Sequence, residues 1–201
     1  MNKVYINITN HCNLSCPFCC MYSSPRKQTF MNFFKFKGIV DRYDSKNTII
    51  QLEGGEPFTH PQLGFFLYYL SSRNYNTIVD TNGTLLEEDI TDQCTIKVSL
   101  NTHVLKYYRI NKLKKLPYFK KLQFNVRYSS FKENVYLRLL TFPFRKRCNY
   151  HYFNRYGRAS NSKLPELNIQ EVYSNWGVYA SDGKCFNNDL IARSEYEHAK
   201  D

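Results

Sequence analysis

Short apolar runs recur along the chain at residues 4–9, 48–52, 77–80, 95–100, 122–128 and 150–153. Each has the length and β-branched or aromatic content of a buried strand, and stretches with helical spacing follow several of them. The clearest of these lies between the second and third runs. Leu63, Phe66, Leu67 and Leu70 fall at i, i+3, i+4 and i+7, which gives one helix face to bury. Phe33, Phe36 and Val40 after the first run, then residues 84–93 and 104–116, repeat the pattern less cleanly. Strand and helix in alternation predict a parallel sheet of βα units, and six units without a long linker predict an open or partial (β/α)6 TIM-like barrel. Chemistry in such folds gathers on loops at the C-terminal ends of strands. Beyond residue 156 the pattern changes to a polar, turn-rich stretch and a hairpin around Ser181-Asp182-Gly183. The division predicted is a core domain over residues 1–156 and a short C-terminal extension over 157–201 that caps the barrel.

Composition changes this picture little. At 201 residues, 42% hydrophobic and 16% aromatic, the chain has enough apolar material for one sizeable core, which excludes general disorder. No apolar leader and no run near ~18 apolar residues is present, so a cytoplasmic location away from membranes is expected. The net charge of +11 is localised. Residues 104–147 hold thirteen bases and one acid, Glu133, a net +12 that leaves the rest of the chain at −1. Lys106, Arg109, Lys112, Lys114 and Lys115 read first as a solvated outer helix face, and second as a surface attracting an acidic partner.

Candidate chemistry lies just after the first strand. Four of the seven cysteines, Cys12, Cys16, Cys19 and Cys20, crowd into nine positions, which suits metal binding or catalysis rather than a disulfide framework. Cys12, Cys16 and Cys19 have CxxxCxxC spacing. Thiolates hold iron-sulfur clusters, and three of them on four irons leave one iron open to an outside ligand. Structural zinc ordinarily takes CxxC pairs with a distant second pair, which this chain lacks. Cys20, adjacent to Cys19, is expected to point elsewhere as a small buried hydrophobe. Three more stretches sit at strand ends: Glu53-Gly54-Gly55-Glu56-Pro57, Asp80-Thr81-Asn82-Gly83 and Ser99-Leu100-Asn101.

Taken together, these motifs resemble the radical S-adenosylmethionine (SAM) superfamily over residues 4 to about 153. The resemblance implies one 4Fe-4S cluster on Cys12, Cys16 and Cys19, with SAM chelating the open iron. It implies that Phe18 lies near the adenine and that Gly54, Gly55 and Glu56 receive the SAM amino group. Asn82 would shape a turn, Ser99 and Asn101 would bond the ribose or carboxylate, and Arg127 would pair with the carboxylate. The stretch Gly157-Arg158-Ala159 resembles one found beside SPASM or twitch extensions. Only Cys148 and Cys185 lie in that region, too few for an auxiliary cluster.

The implied activity is reductive cleavage of SAM to a 5′-deoxyadenosyl radical that abstracts hydrogen from a peptide or small anionic substrate. A flavodoxin or ferredoxin would serve as electron donor. Nucleic acid is not the expected partner. Two other functions stay open: an activase for a glycyl-radical enzyme, and a zinc-holding basic module that binds nucleic acid.

Overall fold

The computed structural model describes residues 2–86, 94–153, 157–159, 163, 176–186 and 189–199. The elements run β1 (Asn2–Thr9), α1 (Phe33–Val40), β2 (Thr48–Gly54), α2 (Leu63–Ser72), β3 (Asn76–Thr81), β4 (Thr95–Leu100), α3 (Ile110–Lys114), β5 (Gln123–Tyr128), α4 (Phe131–Thr141), β6 (Cys148–Tyr152), β7 (Trp176–Tyr179) and α5 (Leu190–His198). The strands form one parallel sheet in the order β6-β5-β4-β3-β2-β1-β7, open at both edges. The six predicted runs are its first six strands, and the sheet is the open α/β arrangement expected of a partial TIM-like barrel.

Alternation along the strands builds the two faces. Val4, Ile6, Ile50, Leu52, Val98, Leu100, Phe124 and Val126 are wholly shielded from water. They fall in register across the sheet, Val4 beside Ile50 and Val98 beside Phe124, and make the face that helices cover. α1 and α2 dock there through Phe36 and Phe66, whose rings stack at 4.2 Å and 10°. Burying a side chain of that size stabilises by about 1.5–3 kcal/mol. The helix predicted from Leu63, Phe66, Leu67 and Leu70 is α2, with all four buried.

The residues in between are polar. Asn7 pairs with Glu53, Asp80 with Lys97, and Ser99 with Asn125, so the opposite face is lined by side chains that seek water or a ligand. A closed barrel of this type fills its interior with branched apolar residues. Here the face is polar: α5 meets part of it, with the Asn7 amide donating to Glu197 at 2.9 Å, and Glu53, Asp80, Ser99 and Asn125 line a cavity.

Two expectations need correction, and two fall outside the described residues. The helix expected over 104–116 is broken: a short turn at Val104–Lys106 is followed by Arg109 in extended backbone (ψ 141°), and only Ile110–Lys114 is α-helical. Of the stretch 84–93, residues 87–93 lie outside the described residues, as does the domain boundary after residue 156. The hairpin around Ser181-Asp182-Gly183 is present as a tight turn, with the Gly183 N–H bonded to the Ala180 carbonyl at 2.8 Å. Its first arm, however, is β7, which joins the sheet parallel to β1. All seven cysteines are unbridged, and no described helix is long and apolar enough to cross a membrane.

Candidate active site

A cavity of about 170 Å³ opens at the C-terminal ends of the strands, with Cys12, Cys16 and Cys19 on its wall. The cysteine loop leaves β1 and carries almost no regular structure, so hydrogen bonds from elsewhere must shape it. The His11 ring Nδ1 lies 2.8 Å from the Lys27 carbonyl, and the Cys12 N–H donates to the Ser24 carbonyl at 3.2 Å. These two contacts fold residues 11–27 back on themselves.

The turn after β2 is laid directly against this loop. The Gly55 N–H donates to the Thr9 carbonyl at 2.8 Å and the Glu56 N–H to the His11 carbonyl at 2.9 Å. A Cβ on Gly55 would stand 1.9 Å from the His11 carbonyl oxygen. Gly54 adopts φ +149°, and a Cβ there would meet the Thr9 oxygen at 2.2 Å. Both glycines line the cavity, yet their first physical requirement is this backbone-on-backbone approach.

Glu56 is placed otherwise than a residue facing a ligand would be. It is fully buried behind the turn and is not part of the cavity wall. One carboxylate oxygen accepts from the Phe58 N–H at 3.1 Å and the Thr81 hydroxyl at 2.8 Å; the other accepts from the Asn82 N–H at 2.7 Å. Glu56 therefore ties the β2 turn to the β3 turn. Burial is the main cause that pushes its carboxyl up to about 7, against the three donors that pull it down. The folded protein holds this proton more tightly than the unfolded chain, so the group's contribution to stability is present at pH 4 and fades as pH rises towards about 7. Unfolding by urea in the cofactor-free protein should show a loss of order 2–3 kcal/mol across that window. Glu56→Gln should flatten this slope, since an amide does not titrate.

Asn82 links the two turns to the cysteines. Its amide nitrogen donates to Asn13 Oδ1 at 2.9 Å and lies 3.8 Å from the Cys12 sulfur, while its oxygen accepts from the Thr84 N–H at 2.9 Å. The Asn-Gly turn needs its glycine, since Gly83 has φ +79°. Ser99, Asn101 and Arg127 line the cavity on the far side. The Asn101 oxygen is engaged by the Val104 N–H at 2.9 Å, which starts the turn that follows β4. Arg127 is exposed. Phe18 lies on Phe153, ring centroids 3.9 Å apart, with the His103 ring edge-on at 5.7 Å. An aromatic slot of this kind suits a flat heterocycle.

Burial pushes the Cys12 thiol up to about 12 and the Cys16 thiol to about 11. Thiols buried in this way are poor nucleophiles, and a bound metal deprotonates such a ligand outright. No three described His, Cys, Asp or Glu side chains converge on a point where one metal ion would sit. Three thiols on one cavity wall are donors of the kind an iron-sulfur cluster takes, so the residues present fit a cluster on Cys12, Cys16 and Cys19.

One expectation about this loop is overturned. Cys20 does not turn into the core; it is half-buried and lines the same cavity as its three neighbours. The pattern of strand alternation also contains residues that the motifs did not single out. Glu53, Asp80 and Asn125 line the cavity from the polar sheet face, and period-two spacing from the apolar positions would have found them. Burial, with Glu53 nearby, pushes the Asp80 carboxyl up to about 6. Arg193 of α5 reaches Glu53 at 2.5 Å.

The radical SAM superfamily model matches residues 6–95. Over 130 residues the chain is 33% identical to 7-carboxy-7-deazaguanine synthase of Aquifex aeolicus, a match covering 62% of this chain and 56% of that protein. It is 32% identical over 83 residues to the antilisterial bacteriocin subtilosin biosynthesis protein AlbA of Bacillus subtilis, covering 41% of this chain and 18% of AlbA. The matched stretches thus span less than two thirds of either relative. Streptococcus suis SuiB bound to the precursor peptide SuiA superposes with a TM-score of 0.65 at 14% identity, over 96% of this chain and 51% of SuiB. The anSMEcpe structure with bound AdoMet and the Cp18Cys peptide gives 0.53 at 15% identity, over 76% of this chain and 50% of that one. These two likenesses concern the fold. With its cysteine loop, paired glycines and Asn-Gly turn in the family's order around one cavity, the stretch 6–95 matches the radical SAM superfamily, a family whose cofactors are a 4Fe-4S cluster and S-adenosylmethionine.

Proposed function

We propose that the chain is a radical SAM enzyme acting on a peptide or small anionic substrate, with residues 1–156 as its core and 157–201 as an extension closing on it. The observation that carries this reading is the meeting of three cysteines, two close-packed glycines and an aromatic slot on one cavity wall. When bound, the cluster supplies one electron and SAM supplies a carbon radical able to take hydrogen from an unactivated C–H bond.

The protein's own residues bind and orient. Cys12, Cys16 and Cys19 would hold three irons. The backbone at Gly54 and Gly55 would receive the SAM amino group, with Glu56 acting from behind by fixing that backbone. Ser99, Asn101 and Arg127 would meet the ribose and carboxylate, and Phe18 with Phe153 the adenine. The walls around Cys12 exclude water from a site where quenching would waste the radical. A reduced flavodoxin or ferredoxin is the electron donor in this reading.

The peptide reading draws support from AlbA, a bacteriocin biosynthesis protein, and from the peptide-bound SuiB and anSMEcpe structures. The small-molecule reading draws on the deazaguanine synthase, which covers the longer stretch of this chain. Anaerobic protein reduced with dithionite should convert SAM to methionine and 5′-deoxyadenosine; no 5′-deoxyadenosine from fully iron-loaded protein would contradict the proposal. Cys20→Ala should keep at least half of the bound iron and of this turnover. If Cys20 instead replaces Cys19 as a ligand, Cys20→Ala will lose both and Cys19→Ala will lose neither.

A further inference from the structure

Several backbone carbonyls of the cysteine loop are bonded by one distant residue, Arg158. Arg158 lies on a short turn at Gly157–Ala159, well over a hundred residues from the loop in sequence. Its guanidinium donates to the Cys16 carbonyl at 2.9 Å, the Tyr22 carbonyl at 2.7 Å and the Ser23 carbonyl at 2.5 Å. Its backbone N–H donates to the Cys19 carbonyl at 3.1 Å. Four carbonyls between residues 16 and 23 therefore have their donor on a single residue. This stretch makes few bonds of its own, such as Cys19 N–H to Cys16 carbonyl at 3.2 Å, and Tyr22 sits at φ +52°, a backbone state that needs outside support.

The C-terminal helix reinforces the same stretch. The Ser194 hydroxyl donates to the Cys20 carbonyl. The His198 ring stacks on Tyr22 at 3.9 Å and 17°, and Lys27 Nζ donates to the Glu197 carbonyl at 2.6 Å. Arg158 stands at the centre of this contact because its planar fork carries five N–H groups in fixed directions and reaches three carbonyls at once.

We propose that Arg158 is the positioning residue of the cluster loop: it sets the spacing of Cys16 and Cys19 before any cluster binds, through its hydrogen-bonding fork rather than its charge. What the loop holds rests on the proposed function; the clamp itself does not.

The test uses the full chain with Arg158→Gln and Arg158→Lys, which remove the fork, the second keeping the charge. Amide hydrogen exchange is followed in the cofactor-free protein, and iron retention against a chelator in the loaded one. In both variants the amides of residues 16–23 should exchange at least tenfold faster, a loss of ~1.4 kcal/mol, while those of β2 to β5 keep their wild-type rates. Iron retained after the challenge should fall severalfold, and the paramagnetic signal of the reduced cluster should broaden.

Wild-type exchange in the loop of Arg158→Gln would overturn the clamp. So would acceleration spread evenly over the sheet, the mark of general destabilisation, or full rescue by lysine, the mark of charge. If the wild type takes up no iron but the loop amides respond as expected, the proposed function fails and the clamp stands. Four irons in the wild type with an unresponsive loop gives the reverse.

Discussion

Gly55→Ala should give a protein that no longer docks its β2 turn on the cysteine loop and loses about 3 kcal/mol or more of stability. A methyl group at this position would stand 1.9 Å from the His11 carbonyl oxygen, 2.4 Å from its carbon and 3.0 Å from the Asn10 oxygen. All three are backbone atoms of the segment that enters the cysteine loop, so no side chain can swing aside. Relief requires the two segments to part, and parting breaks the Gly55-to-Thr9 and Glu56-to-His11 bonds. It also pulls Glu56 from the three donors it serves. Each buried group left unpaired costs about 1–3 kcal/mol. Urea unfolding reads the loss, and iron uptake should fall with it. Gly38→Ala and Gly64→Ala are the controls, because a Cβ at either meets nothing within 4 Å. Both lie in helices, where alanine is favoured by about 0.5–1 kcal/mol.

The second large effect separates chemistry from folding. Cys12→Ala should reduce bound iron from about four atoms per chain to less than one and abolish SAM cleavage, while the cofactor-free fold stays within about 1 kcal/mol of wild type. Cys12 is 8% exposed on the cavity wall, and among the described residues its sulfur meets the Leu14 N–H at 3.4 Å and the Asn82 amide at 3.8 Å. Neither contact is strong, so alanine costs the cofactor-free fold little. Cys94→Ala offers the contrast. Cys94 packs against the core and is not on the cavity wall, so its loss should leave the iron count unchanged.

The sheet was legible because its signal is local. Apolar runs such as 48–52 and 95–100 identify strands without knowledge of their neighbours, and parallel order follows from the intervening helices. α4 escaped because its apolar residues do not form one stripe: Phe131 and Leu139 are exposed at 76% and 71%, and the helix buries Leu137 and Thr141. Its start was nonetheless written in Ser130-Phe131-Lys132-Glu133, a capping-box sequence: Ser130 accepts from the Glu133 N–H at 3.2 Å, and Glu133 reaches one residue beyond the cap to accept from the Ser129 N–H at 2.7 Å. β7 was read as a hairpin arm because nothing in residues 176–179 says that their partner is β1, more than 160 positions earlier.

The site divides in the same way. Cys12, Gly54 and Gly55 reach the cavity because each lies at or within three residues of a strand end, while Cys16 and Cys19 follow on the same loop and are brought to the cavity by the bonds that fold it. Glu56 was read as a ligand-facing carboxylate, but whether the residue after two glycines points out or back depends on the chain behind it, here Thr81 and Asn82. Cys20 was sent to the core on the argument that neighbours diverge, which holds in a strand but not in an irregular loop. Arg158 was visible in the sequence only as part of a short motif. Its role depends on carbonyls some 135 to 142 residues away, and no spacing rule reports that.

The basic segment is a solvent-facing surface, as both readings of it require. Lys106, Arg109, Lys112, Lys114 and Lys115 are all exposed, and Lys112 also reaches back to the Thr84 carbonyl at 3.0 Å.

In the proposed function, three cysteines of one loop hold a four-iron cluster with one iron open to SAM. Electron paramagnetic resonance of the anaerobically reconstituted, reduced protein, recorded before and after SAM is added and paired with metal analysis, tests it most directly. About four irons per chain and a cluster signal that changes when SAM binds are predicted. One zinc per chain and no iron signal, or an iron signal indifferent to SAM, would contradict it.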